Sequence, residues 1–170
     1  RVLAIEGRAR VDDIRNGTLD EATRAAVGAA AVRLRDGSPI IDNLPPGGVQ
    51  TLADAVRRTL DVQVTFIDSL QALGLGQREQ DEELAVAVRT LKALAIETGV
   101  ALVVTSDLPT VVAGRNDPRP GLGDFGALGA VKAHADIVLG VYREEMHSPG
   151  TGVEGATELR VLKNRNGGTG

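Results

Sequence analysis

Few side chains in this chain are equipped for chemistry, and most of those sit in three short stretches. The first is Val62-Gln63-Val64-Thr65-Phe66-Ile67-Asp68-Ser69-Leu70-Gln71, an apolar run that ends in a carboxylate and turns into a polar loop. Val62, Val64 and Phe66 fall on one face and Ile67 on the other, so the pattern predicts a strand apolar on both faces, in the middle of a parallel sheet. Asp68 then stands in the crevice outside the carboxyl edge of that sheet, where open α/β folds bind ligands. A carboxylate there can help hold a Mg²⁺ ion that rides on nucleotide phosphates, although many strands simply end in Asp to begin a loop. The second stretch is the apolar run Val100–Thr105, whose following Ser106-Asp107 reaches the same crevice if the two strands are neighbours. The third is Lys163-Asn164-Arg165-Asn166-Gly167, a basic turn that can supply a cation to a phosphate, including one on a neighbouring subunit. Alone, it reads as a solvated hairpin charge pair.

Other constellations are thin. His134 and His147 are the only histidines, and neither has metal-ligand spacing to a neighbour. Ser69 and Ser106 lack a nucleophile-elbow context. No paired carboxylates stand out for glycoside chemistry. With no cysteine, disulfides and thiol catalysis are excluded. The phosphate-loop pattern G-x-x-x-x-G-K-[ST] occurs nowhere, so these 170 residues do not complete a nucleotide site by themselves.

The elements that position these groups are legible as a βαβ unit. A helix over about Asp81–Thr98 carries Leu84, Ala87, Val88, Leu91, Leu94 and Ala95 on one stripe and ends at Gly99. Strand 62–68, this helix and strand 100–105 imply two parallel strands joined by a right-handed crossover. Upstream, residues 1–8 read as a helix tail and Val11 to Gly17 as a polar connection. Thr18-Leu19-Asp20-Glu21 fits a capping box for a helix that runs to Arg35 and stops at Gly37. Pro39-Ile40-Ile41-Asp42 reads as a short strand, Pro45-Pro46-Gly47-Gly48 as a loop, and 51–60 as a second helix. Gly74 to Glu79 reads as a flexible loop. Leu108–Leu122 has no periodicity, and so long a structureless segment is usually functional. A short helix at 126–134, a strand at Ile137–Tyr142, a hairpin tip at Glu144–Gly155 and an edge strand at Thr157–Leu162 complete the chain.

Composition sets the outer bounds. A chain of 170 residues with 42% hydrophobic and 25% charged residues can bury the core of one α/β domain. Its only aromatic residues are Phe66, Phe125 and Tyr142, so that core must be aliphatic. A net charge of −4 argues against a surface coated for non-specific nucleic-acid binding, but not against nucleic acid held by a few loops within an oligomer. No apolar run approaches a membrane span, and no secretory signal is visible, so a cytoplasmic protein is expected. Arg1 in place of Met, a helix already under way at Val2, and a turn at Asn166-Gly167 without a second strand all read as a piece of a longer chain.

In this order, the motifs resemble the C-terminal ATPase domain of DnaB-type replicative DNA helicases. The resemblance covers essentially the whole chain. Arg1 to Leu19 resembles the stretch after that family's phosphate-loop helix, and Ile40-Ile41-Asp42 its next strand. Phe66-Ile67-Asp68-Ser69-Leu70-Gln71 is similar to its Walker B segment, apolar-I-D-Y-L-Q. Leu91-Lys92-Ala93-Leu94-Ala95 resembles its S-L-K-A-L-A helix, Ala135-Asp136-Ile137-Val138 its D-A-D strand, and Val141-Tyr142-Arg143-Glu144-Glu145 its Y-R-D/E-E segment. Lys163-Asn164-Arg165-Asn166-Gly167 is similar to its K-x-R-N-G turn. The resemblance implies an α/β, RecA-like P-loop NTPase core spanning 1–170, with a mostly parallel sheet, flanking helices and a C-terminal hairpin strand. It implies ATP and Mg²⁺ as cofactors, with Asp68 on the metal through water, Ser106 and Asp107 beside the phosphates, and Lys163 and Arg165 reaching the γ-phosphate on the adjacent subunit. The partners it implies are single-stranded DNA, further copies in a homohexamer, and a primase and a helicase loader.

Two departures stand out. The family's S-Q-L is Ser106-Asp107-Leu108 here, which puts an acid where a neutral amide can touch a γ-phosphate. Its DNA loop, D-L-R-E-S-G, is Asp124-Phe125-Gly126-Ala127-Leu128-Gly129. Asp124 and Gly129 survive, while Gly126 and Ala127 replace the Arg and Glu. The lost Arg removes a charge-assisted contact worth about 1.5–3 kcal/mol. Backbone N–H groups can still bind phosphates, and Arg115 and Arg119 upstream are further candidates for DNA. The Walker A loop and its following Glu would lie before Arg1, so an isolated fragment is expected to be inactive. A diverged member acting as an assembly or loading protein, and a recombination or signalling ATPase of the wider RecA-like class, stand as alternatives.

Overall fold

A computed structural model describes the chain except Ser38, Leu44, Pro45, residues 109–114, Thr151, Val153 and the side chain of Asp36. Much of the structureless segment expected at Leu108–Leu122, and parts of the loop at 45–48 and of the tip at 144–155, thus lie outside the described residues. The chain divides into two compact units, Arg1–Asn43 and Leu44–Gly170.

Among the described residues the first unit holds the helices α1 (Val2–Glu6), α2 (Val11–Asn16) and α3 (Glu21–Asp36). The stretch expected to be a polar connection is therefore a helix, closed by Gly17 in the left-handed region at φ 69°. That closure changes the cap of α3. Thr18 lies beside α2, where its hydroxyl donates to Asp13. The cap is instead Asp20, whose carboxylate accepts the Thr23 N–H at 2.7 Å and the Thr23 hydroxyl at 2.9 Å. α1 crosses α3 at Gly7, where a Cβ would lie 2.7 Å from Val27 Cγ2. Residues 39–42 form no strand: they lack a ladder partner, and Ile40 and Ile41 are exposed.

Among the described residues the second unit holds two strand pairs. β1 (Val64–Ile67) pairs in parallel with β2 (Ala101–Val104), in the register Val64↔Ala101 to Ile67↔Val104. β3 (Ile137–Tyr142) pairs antiparallel with β4 (Glu158–Asn164). Between β1 and β2 run a 3-10 turn at Leu70–Leu73 and α5 (Gln80–Thr98), and Gly99 closes α5 at φ 72°. α4 (Gly48–Arg58) precedes β1, and α6 (Ala130–His134) precedes β3. The expected helix at 126–134 is thus only its last five residues, because Gly126, Ala127, Leu128 and Gly129 all take positive φ and break the helical path.

The core is aliphatic as composition requires. Leu52, Ala53 and Val56 of α4, Ile67 of β1, Leu70 and Leu73 of the turn, Leu84, Ala87, Leu91 and Leu94 of α5, and Val138 of β3 are buried together. β1 is buried on one face only. Ile67 is 3% exposed, whereas Phe66, on the opposite face, is 76% exposed. The pattern predicted a strand covered on both faces; α4 and α5 pack on the Ile67 side alone. Among the described residues no helix is long and apolar enough to cross a membrane.

Candidate functional site

The parallel pairing of β1 and β2 brings Asp68 and Ser106-Asp107 to one edge, as the apolar runs implied. Thr105 donates its hydroxyl to Asp68 Oδ1, which fixes the carboxylate while leaving the side chain open to solvent. The Leu70 N–H donates to the Thr105 carbonyl at 2.8 Å, so the two post-strand loops are joined through backbone as well. Gln71 completes the junction. Its amide nitrogen donates to Ser106 Oγ (3.0 Å) and to the Asp107 carbonyl (3.1 Å), and its amide oxygen accepts the Asp107 N–H (3.1 Å). One carboxamide thus satisfies three polar groups of the loop after β2 and fixes its height above the sheet. Gln71 stands in the quoted motif, but nothing in its spacing singled it out; only the fold brings it to Ser106, 35 residues on.

Asp68 offers one carboxylate, with the Thr105 hydroxyl on it. Among the described residues no group of three or more His, Cys, Asp or Glu side chains could hold a metal ion. Such a donor set suits Mg²⁺, which keeps most of its waters and takes its other oxygens from phosphates. It does not suit an ion caged wholly by protein.

The loop after the turn is pinned rather than free. Glu83, in the first turns of α5, accepts backbone N–H groups from Leu75 (2.7 Å), Gly76 (3.0 Å), Gln77 (2.7 Å) and Arg78 (3.1 Å). These bonds, that from Gln77 foremost, hold its carboxyl below the ordinary Glu value. The expectation of a flexible segment at 74–79 is corrected by this carboxylate, whose partners are backbone N–H groups that carry no side-chain signal in the sequence.

The basic turn lies at the end of β4. The β3–β4 register shifts between Val138 and Leu139, so that Leu162 is the extra residue and Lys163 pairs with Val138. Such a bulge re-aims the side chains that follow it. Lys163 now lies on the face of buried Val138 and donates to the carbonyl of Lys132 at 2.6 Å, at the C-terminal end of α6. Arg165, two residues on, places Nε 3.0 Å from Asp136 Oδ1. Its backbone N–H donates to the Asp136 carbonyl at 2.8 Å.

The expected DNA segment is braced by its own charges. Arg115 grips both oxygens of Asp124 (2.9 and 2.7 Å) and donates to the Arg119 carbonyl. That pairing holds the Asp124 carboxyl below its ordinary value. Arg119 is bidentate on Glu158 (2.9 and 2.8 Å) and lies 5.0 Å over the Tyr142 ring. Both guanidiniums therefore spend their donors within the chain. Gly126 has φ 58° and ψ −133°, and a Cβ there would meet Asp81 Oδ1 at 2.8 Å. The same Asp81 oxygen accepts the Ala127 N–H at 3.1 Å. In this fold a side chain at 126 and the Asp81 bond exclude each other.

The family described as DnaB-like helicase C terminal domain matches residues 1–170, the whole chain. The chain belongs to that family. Replicative DNA helicase DnaB of Geobacillus stearothermophilus is 27% identical over 100% of this chain and 39% of its own length. Replicative DNA helicase DnaB of Buchnera aphidicola subsp. Schizaphis graminum is 30% identical over 98% of this chain and 37% of its own. The chain thus spans under two fifths of these DnaB relatives. Among solved structures, a DnaB-like replicative helicase, described with its interactions with primase, superposes at a TM-score of 0.86 with 21% identity, over 99% of this chain and 42% of that one. A second solved structure, of an ATPase domain, superposes at 0.82 with 22% identity, over 99% of this chain and 63% of that one. Both show the expected RecA-like α/β fold. At the two positions expected to depart from the family's motifs, Gln71 holds the backbone of Asp107, and Asp81 occupies the space a side chain at 126 needs.

Proposed function

We propose that this chain is part of an ATP-driven DNA helicase motor that forms a ring, most simply a homohexamer, and moves along single-stranded DNA in the cytoplasm. The reading rests on the family and on the two-ended layout of charge: an anionic edge at Asp68, Ser106 and Asp107, and a cationic turn at Lys163 and Arg165.

In this reading Asp68 holds the Mg²⁺ of bound ATP through water, and the Thr105 hydroxyl fixes the carboxylate that does so. The ion supplies charge neutralisation at the phosphates. Gln71 holds Ser106 and Asp107 at the same edge, where Ser106 faces the phosphates and Asp107 stands beside them. Lys163 and Arg165 act on ATP held by the adjacent subunit. Cations placed by a neighbour stabilise the charge spread over the transferring phosphoryl oxygens, and they make hydrolysis depend on assembly. The segment holding Asp124, Gly126 and Gly129 lines the DNA path and contributes backbone contacts, with Arg115 and Arg119 keeping it in shape. A primase and a loader are the partners this motor would meet.

The test is the ATPase rate of the full-length protein with and without single-stranded DNA. Strong stimulation is expected. Hydrolysis indifferent to DNA would overturn the motor reading, and rings without hydrolysis would leave only a structural role.

A further inference from the structure

The carboxylate of Asp136 touches two cations at once. Oδ2 accepts from Lys92 Nζ at 2.6 Å, and Oδ1 lies 3.0 Å from Arg165 Nε. The two cations come from elements far apart in the chain: Lys92 projects from α5, and Arg165 follows β4. Asp136 also holds the backbone of Arg165 through its own carbonyl. Lys92 is the best shielded of the three, at 22% side-chain exposure against 51% for Asp136 and 47% for Arg165. It is therefore the fixed end of the chain Lys92–Asp136–Arg165. The Lys92 contact, with the charges of Arg165 and Lys163 behind it, keeps the Asp136 carboxyl below its ordinary value, so it stays ionised.

The manner of the grip matters. Asp136 Oδ1 forms an ion pair with Arg165, nearest at Nε, the inner nitrogen of the guanidinium, while the backbone bond to the Asp136 carbonyl fixes where the side chain starts. Among the described residues neither of its two terminal nitrogens makes a hydrogen bond. Those are the nitrogens that match a phosphate oxygen pair in a bidentate contact. Arg115, by contrast, spends both terminal nitrogens on Asp124, and Arg119 spends one on Glu158 and the other on Asp117.

We infer that Asp136, oriented by Lys92, is a positioning residue that aims Arg165: it holds the stem of the guanidinium and leaves its fork for a phosphate on the neighbouring subunit. The inference rests on Arg165 acting in trans, as proposed above. It adds that α5, the crossover helix between the strands that carry Asp68 and Ser106, fixes the direction of the side chain that serves the next site.

The experiment measures steady-state ATP hydrolysis and nucleotide affinity on the assembled full-length protein, with assembly verified for each variant. Asp136→Ala should lower kcat about tenfold and leave KM for ATP within about twofold, the pattern of a misaimed group rather than of lost binding. Asp136→Asn, which keeps the shape and drops the charge, should also lower kcat and carries the test if the alanine variant fails to assemble. Asp136→Glu should recover most of the rate. In an Arg165→Lys background, which has no guanidinium to aim, Asp136→Asn should change kcat little further. Wild-type kcat in both Asp136→Ala and Asp136→Asn would overturn the inference. So would an equal loss from Asp136→Asn in the wild-type and the Arg165→Lys backgrounds, which would mark Asp136 as a fold residue only. Undiminished hydrolysis by Arg165→Ala would instead remove the trans-acting finger itself, and the positioning role with it.

Discussion

The segment 115–124 and the turn 163–167 both present arginines, and the fold treats them in opposite ways. Arg115 and Arg119 are each locked bidentately to a carboxylate, and Arg119 also covers Tyr142. Arg165 is ion-paired, nearest at Nε, with a carboxylate it shares with Lys92, and its side chain makes no hydrogen bond among the described residues. The difference separates charge used to build a loop from charge that, on the proposed function, serves a ligand. Counting cations in the sequence treats the two segments alike; counting the donors still free distinguishes them.

The sharpest way to break the contrast is to remove one arginine from each side. Arg165→Ala should cut hydrolysis by about a thousandfold or more, the scale of an arginine finger, while ATP affinity stays within about twofold. Equal loss of binding and turnover in a nucleotide-binding assay would place Arg165 in the ground-state site instead. The next largest effect belongs to Gly126. Gly126→Ala should destabilise the fold by about 1–3 kcal/mol in denaturant titration, because its positive φ suits glycine and its Cβ would meet Asp81. Gly126→Arg should likewise fail to restore a DNA contact unless Asp81 is also reduced to a small residue.

Arg119 lies lower on the scale. Arg119→Ala should lower Tm by roughly 2–4 °C, and Arg119→Lys should not restore it, since a lysine cannot span Glu158 bidentately. If single-stranded DNA affinity falls instead while Tm holds, Arg119 belongs with Arg165 and the contrast fails. The smallest effect concerns Glu83. Its folded pKa lies below its ordinary value of 4.5, so its stabilisation is fully present above that value and is lost as pH falls through the folded pKa. Glu83→Gln should therefore lower Tm at about pH 7, and the gap to wild type should close as pH drops below 4.5 in melting curves.

These effects also mark what the sequence made legible. Periodicity located α5 and the two strands it joins, because a single apolar stripe and two short apolar runs determine a βαβ unit with little help from elsewhere. It therefore placed Asp68 and Ser106-Asp107 together correctly. It failed where long-range bonds decide. The Gln71 clamp and the Asp81 contact each join residues that no local pattern links, and the Glu83 cradle, though local, binds backbone N–H groups that no side-chain pattern marks. The cap of α3 moved from Thr18 to Asp20 because α2 claimed Thr18 first. β1 was expected to be covered on both faces, since its composition cannot say which face α4 and α5 leave open. The bulge at Leu162 was also invisible, although it determines which face receives Lys163.

The central claim is that Arg165 serves the phosphate site of an adjacent copy of the chain. Mixed assembly tests it most directly. Asp68→Asn disables a subunit's own metal position, and Arg165→Ala disables what that subunit offers its neighbour; each protein alone should be nearly inactive. Co-assembled in equal amounts, they should regain ATP hydrolysis, because some interfaces then join an intact Asp68 to an intact Arg165. A mixture shown to form mixed rings, yet as inactive as either parent, would contradict the account.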